Sequence, residues 1–136
     1  MARGKSSPAP APDGERGSVT HIRESDTYLR AVYLDDIDLP TTRKWMLEMV
    51  RLAREDGVRR ILLDVDKATP DFPPSALIEE VEHFADHAPT GMKIAYVSEE
   101  MRIARHFMMI RAAAFAKGLE VDVFGTQEDA EKWLGV

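Results

Sequence analysis

No cysteine occurs among the 136 residues. Disulfides, thiolate metal sites and cysteine nucleophiles are therefore excluded. No apolar run approaches the roughly 18–20 residues that cross a bilayer, so no membrane span is expected. The N-terminus carries basic residues but no apolar stretch after them, so it does not read as a secretory signal and a cytoplasmic location is expected. Positive charge is also scarce. Lys and Arg number 18 against 24 Asp and Glu, a net charge of −6, whereas nucleic-acid surfaces show a basic excess. Nucleic acid is not an expected partner. No glycine-rich loop is present to cradle a phosphate, and no Ser, Cys or Asp pattern partners a histidine for nucleophilic catalysis.

The residues present are those of a globular domain. The apolar share of 44% is enough for a core, and the length suits one domain. Residues 1–18 are rich in Pro, Ala, Gly, Ser and charge, which predicts a disordered tail, either a solvated leader or a recruiting segment. The domain is expected over 19–136. Val19 and His21, then Tyr28 to Tyr33, predict two extended segments joined at the polar Glu24-Ser25-Asp26. A helix follows, with Asp38 as cap, Pro40 in its first turn and Gly57 as its stop. Met46, Val50 and Ala53 fall at helical spacing, as do Leu47 and Arg51, with Met49 and Leu52 widening the stripe. Ile61 to Val65 predicts a strand buried on both faces, ending near Asp66. The second helix follows Pro73-Pro74, with Leu77, Ile78, Val81, Phe84 and Ala85 on its apolar face. Met92 to Val97 is the next strand. A long helix is expected from Met101 to Lys117, with Ile103, Phe107, Ile110 and Ala114 along one line and Ala104, Met108 and Phe115 beside it. Val121 to Phe124 is the last strand, and Thr126 caps a closing helix that docks through Trp133 and Leu134. Strands alternating with helices predict an α/β fold: a mixed, mostly parallel sheet of about five strands with an antiparallel N-terminal edge, and about four helices.

Ligands in such sheets collect beyond the carboxyl ends of the strands. Three loops reach that edge: Asp66 to Pro74, Ser98 to Glu100, and Gly125 to Gln127. Asp64 and Asp66 lie two apart on one strand and so share a face. Such a pair can bind Mg²⁺, act as nucleophile and acid, or do neither and simply hydrogen-bond loop amides or face water. LLDVDKAT resembles the opening motif of haloacid-dehalogenase-like phosphatases, with its threonine, Thr69, one position late and the motif in mid-domain. Glu79, His83 and His87 follow at four-residue spacing on one face, suited to a metal or to a solvated face. His106 sits beside an apolar line and can titrate near neutral pH. Ser75 opens the second helix, where free N–H groups and the helix dipole tolerate an anion such as a phosphate. Met49, Met108 and Met109 suit either core packing or an adaptable interface.

ILLDV, the helix opening at PPSAL, the strand KIAYV, the helix with RIARHF and AAAFAKG, the strand VDVF and the ending EDAEKWL resemble the STAS family. The resemblance is nearer to its SpoIIAA-like, STAS/SEC14-like branch and covers Val19 to the end. It implies a single STAS-like domain, helices mainly on one side of the sheet, no catalysis, no cofactor and no metal. It further implies docking on a protein partner, with a phosphoacceptor serine at the start of the second helix. Pro73-Pro74-Ser75-Ala76 lie on that motif, so Ser75 falls on the phosphoacceptor; prolines replace the preceding Asp and Ser. The prolines remove backbone donors and stiffen the loop, which favours binding without switching. The expected binding surface comprises Asp64, Asp66, Thr69, Phe72, Arg102 and His106. The SEC14-like side of the resemblance implies a second reading. There a small apolar ligand sits between helices and sheet, lined by Phe72, Phe107, Met108, Met109 and Phe115. A metal-dependent phosphatase is the third, and a homodimer remains open.

Overall fold

Residues 17–136 are described by a computed structural model of the chain. The expected tail lies outside them, apart from Gly17 and Ser18. The elements run β1 (Ser18–Arg23), β2 (Tyr28–Ile37), α1 (Leu39–Glu55), β3 (Arg60–Pro70), α2 (Pro74–His87), β4 (Lys93–Val97), α3 (Met101–Met108), α4 (Arg111–Ala116), β5 (Glu120–Phe124) and α5 (Gln127–Leu134). Five strands form one sheet in the order β1-β2-β3-β4-β5. The first pair is antiparallel and the other three pairs are parallel.

That order decides where the helices go. Crossovers between parallel strands are right-handed. When every step moves the same way across the sheet, all the crossing helices must land on one face. Strand alternation then divides the core in two. Ile61, Leu63 and Val65 of β3 and Ile94 and Tyr96 of β4 meet Trp45, Met49, Leu77, Phe84, Ile103 and Phe107 from the crossing helices. Leu62, Ala95 and Val97 point the other way and meet Ala130 and Leu134 of α5, the one helix after the last strand. Lys93 sits over the Trp133 ring at 4.9 Å, and Arg60 Nε donates to Leu134 O at 3.0 Å, which pins α5.

Several local expectations appear as observed contacts. Asp38 caps α1 by accepting from Thr41 N at 3.0 Å. Gly57 follows the end of α1 with φ +75°, a conformation that favours glycine. Thr126 caps α5 by accepting from Asp129 N at 3.1 Å. Leu47 leaves the expected stripe and is 59% exposed.

Two expectations are corrected. First, β3 runs to Pro70, so most of the expected loop Asp66 to Pro74 is strand. The ten-residue β2 supplies the partner: after a bulge, Leu34 to Ile37 pair with Lys67 to Pro70. Two β2 steps, Val32 to Leu34, match three on β3, Asp64 to Lys67, so β3 holds the extra residue. Nearby Asp35 adopts φ +66°, which aspartate tolerates better than most residues. Second, the expected long helix is two, α3 and α4. Ile110 N–H closes on Phe107 O, three residues back, and the ladder restarts with Ala114 N–H on Ile110 O. No Pro or Gly marks this break; tertiary fit sets it, since Ile110 and Ala114 beyond it both remain fully buried.

Candidate functional site

The carboxyl ends of β3 and β4 bring Asp64, Asp66 and Ser98 together. Asp66 N–H donates to Asp64 Oδ1 at 3.1 Å. Asp66 Oδ1 accepts from Glu99 N at 2.8 Å and from the buried Ser98 Oγ at 3.4 Å. Glu100 N–H in turn donates to Ser98 Oγ at 3.1 Å. Both carboxylates thus hold backbone in place: Asp64 steadies the bulge, and Asp66 ties β3 to the loop that starts α3. This is the amide-bonding role, one of the three that the sequence leaves open for the pair.

A second cluster sits where α2 and α3 begin. Pro73 is the N-cap of α2 and offers no side-chain acceptor, and Pro74 is the first helical residue. Ser75 follows, exposed in the first turn. Neither α2 nor α3 carries an acidic residue in its first turn, although Glu100 is the N-cap residue of α3, so no carboxylate of the cap or first turn offsets the positive end of the α2 dipole. An open hollow beside Pro74 is lined by Met101, Arg102, Arg105, His106 and Met109. Arg102 reaches Glu100 at 3.1 Å. His106 is half-buried against Phe72, edge-on with centroids 5.6 Å apart, and against Phe107 at 5.1 Å. Burial pushes its pKa below the usual histidine value, and its Nε2 is buried without a hydrogen-bond partner. The geometry suits an anion or a partner's polar group near the helix starts.

The expected surface is therefore split. Arg102 and His106 gather beside Pro74, the residue before Ser75, and Phe72 packs against His106. Asp64 and Asp66 fix the framework behind them. Thr69 is exposed but pairs across to Asp36 on the β2 side, and it lines none of these hollows.

The apolar-ligand lining is corrected. Phe72 and Phe107 close on a void of about 10 Å³ between helices and sheet, room for at most about one water. Met108, Met109 and Phe115 do not line it; they are 42%, 59% and 79% exposed on the outer surface. Placed about a quarter-turn from the buried line, they miss the core. Met49 is core, 1% exposed. His83 and His87 are exposed, their rings 4.6 Å apart, and His87 Nδ1 lies 2.9 Å from His83 O. No group of three His, Asp or Glu arranged to hold a metal is found among the described residues. Among the same residues no helix is long and apolar enough to cross a membrane.

Two grooves were not legible in the sequence. One, of about 160 Å³, lies between α1 and α2, with Met46, Leu47, Val50 and Phe84 below the Arg43–Glu80 ion pair. The other flanks β1, where His21 stacks on Trp45 with centroids 5.2 Å apart. Both depend on which helix faces which strand, a non-local fact.

No family model matches the sequence, and no curated protein matches it. Solved structures do match. An uncharacterized DUF3478-family protein from Shewanella loihica PV-4, described as having a SpoIIAA-like fold, is 16% identical with a TM-score of 0.56. That match covers 96% of this chain and 99% of the other. The anti-sigma factor antagonist SpoIIAA, in its unphosphorylated form, is 10% identical with the same TM-score, covering 88% of this chain and 98% of that one. The chain has a SpoIIAA-like α/β fold, as the sequence pattern implied.

Proposed function

We propose that this chain is a non-enzymatic, cytoplasmic regulatory module that docks a protein partner where α2 and α3 begin, with Ser75 as its candidate phosphoacceptor. One observation carries the reading. Ser75 is exposed in the first turn of α2, one residue after Pro74, which shares a hollow with Arg102, Arg105 and His106, while Asp64 and Asp66 are already engaged in backbone hydrogen bonds. A surface with cations and uncapped helix starts, but with no free nucleophile–base pair, suits recognition better than bond-making. The likeness to an anti-sigma factor antagonist supports a partner-docking role. Phe72 and His106 form the apolar side of the surface, Arg102 its charged rim, and Asp66 positions it from behind. Pro73 and Pro74 stiffen the approach to Ser75, so docking is the primary role and phosphorylation its modulation. A phosphate there would add about −1.5 to −2 charge one residue from the hollow that Arg102 and Arg105 line.

The test is site-directed photo-crosslinking in host cells, with the reactive residue at Ser75 or, as a control, at Lys132 on α5. One dominant protein adduct is expected at Ser75, lost on Arg102→Glu. Equal adducts at both positions, or an adduct indifferent to Arg102→Glu, would place the interface elsewhere. Turnover of a generic phosphate ester that Asp64→Asn abolishes would overturn the non-enzymatic assignment.

A further inference from the structure

From Met101 to Leu119 the chain carries Arg102, Arg105, Arg111 and Lys117 and no Asp or Glu, within a protein of net charge −6. The same stretch holds four of the seven large apolar side chains left exposed among the described residues: Met101, Met108, Met109 and Phe115. Phe115, 79% exposed, is the most exposed of the seven. Met101, Arg105 and Met109 recur every four residues, on the face opposite the buried Ile103 and Phe107. Met109 lines both the hollow beside Pro74 and a second open hollow with Met108, Arg111 and Phe115, so the strip is continuous.

Acidic neighbours temper the charge. Arg102 pairs with Glu100, Arg111 with Asp122 and Lys117 with Asp86, yet these cations keep 41–67% of their side-chain surface exposed. Such pairs are weak and screened, so the cations can turn to another anion. No ion pair of Arg105 is found among the described residues. Exposed Met and Phe among arginines is the composition of an interfacial helix, whose apolar tips enter the lipid boundary while the cations meet headgroup phosphates.

We propose that the outer face of α3 and α4 docks on an anionic lipid bilayer, with Met108, Met109 and Phe115 entering the interface and Arg105 and Arg111 at the phosphates. This goes beyond the partner-docking reading and does not involve Ser75. An acidic protein would satisfy the charge, but it would leave Phe115 to be received by a pocket of its own. A bilayer receives every protruding apolar side chain at once, and both hollows here are open.

Co-sedimentation of the full chain with vesicles tests this. Binding is expected to phosphatidylcholine vesicles containing roughly a third phosphatidylglycerol, and to be about tenfold weaker on phosphatidylcholine alone. The double variant Met109→Ser with Phe115→Ser is expected to lose about tenfold or more. Arg105→Glu, which leaves the apolar residues in place, is expected to lose about tenfold. Leu47→Ser, exposed on α1, is expected to bind like the parent. Circular dichroism checks that each variant is folded. Absence of binding to the anionic vesicles overturns the proposal, as does binding indifferent to both the double variant and Arg105→Glu. Binding to soluble polyglutamate without binding to vesicles also overturns it, in favour of an acidic polypeptide.

Discussion

The loop joining β4 to α3 and the outer face of α3 and α4 are neighbours in the chain and opposites in physics. In the loop, Ser98, Glu99 and Glu100 form a closed set of hydrogen bonds with Asp66 of β3, and Ser98 is 3% exposed. On the outer face, Met108, Met109 and Phe115 lie open to solvent. By residue type alone the assignment would be reversed: polar residues are expected to meet ligands and apolar ones to form the core. The difference teaches that an acid whose oxygens already accept backbone N–H groups is part of the scaffold. An apolar side chain without a neighbour is the better marker of a surface that meets something else.

Adjacent residues give the strongest test of that contrast. Ile110 is fully buried and Met109 is 59% exposed. Ile110→Ala is expected to cost about 3 kcal/mol in urea unfolding, from lost burial and the cavity left behind. Met109→Ala is expected to stay within about 0.5 kcal/mol. Equal costs would show that the outer strip is packed and the contrast unfounded.

The second test concerns the polar side. Asp66→Ala removes the acceptor for Glu99 N and Ser98 Oγ together, and about 2 kcal/mol of stability should go with it. Amide exchange should quicken at Glu99 and Glu100. A neutral Asp66→Ala would mean that Asp66 is free for chemistry after all.

The smallest effect is a pH dependence from His106. Burial lowers its pKa in the fold from the ordinary value of 6.5. The unfolded chain then binds the proton more readily, so this contribution is complete above about 6.5 and is lost as pH falls through the lower, folded-state value. Below pH 6.5 the parent should lose more stability than His106→Gln, measured by urea titration at successive pH values. Parallel curves would show the ring to be fully solvated.

Much of the fold was legible because its signals are local. Asp38, Gly57 and Thr126 act within one turn of their own positions. The line Ile103, Phe107, Ile110 and Ala114 is wholly buried, as its spacing predicts. What stayed illegible depends on partners distant in sequence. Lys67, Ala68 and Pro70 are poor strand residues, and only the long β2 beside them makes them strand. The break after Met108 has no breaker residue to announce it. The sequence offered three roles for Asp64 and Asp66. For Asp66 the choice rests on Ser98 and Glu99, more than 30 residues on. Arg102 and His106 were expected at the surface near Ser75, and the structure places them beside Pro74. The exposed methionines were read as core or interface alike, since helical spacing reports a face but not how far the core extends across it.

The order β1-β2-β3-β4-β5 has a further consequence, for how the chain is made. Each strand after the first finds its partner in the strand synthesised just before it. No strand has to be inserted between two others already joined, and no edge waits across the length of the chain. Loop closures are therefore short at every step, which keeps their entropic cost low. The sheet grows by addition at one edge, from β1 toward β5. α5 closes the opposite face last, when Trp133 and Leu134 reach strands that are already in place.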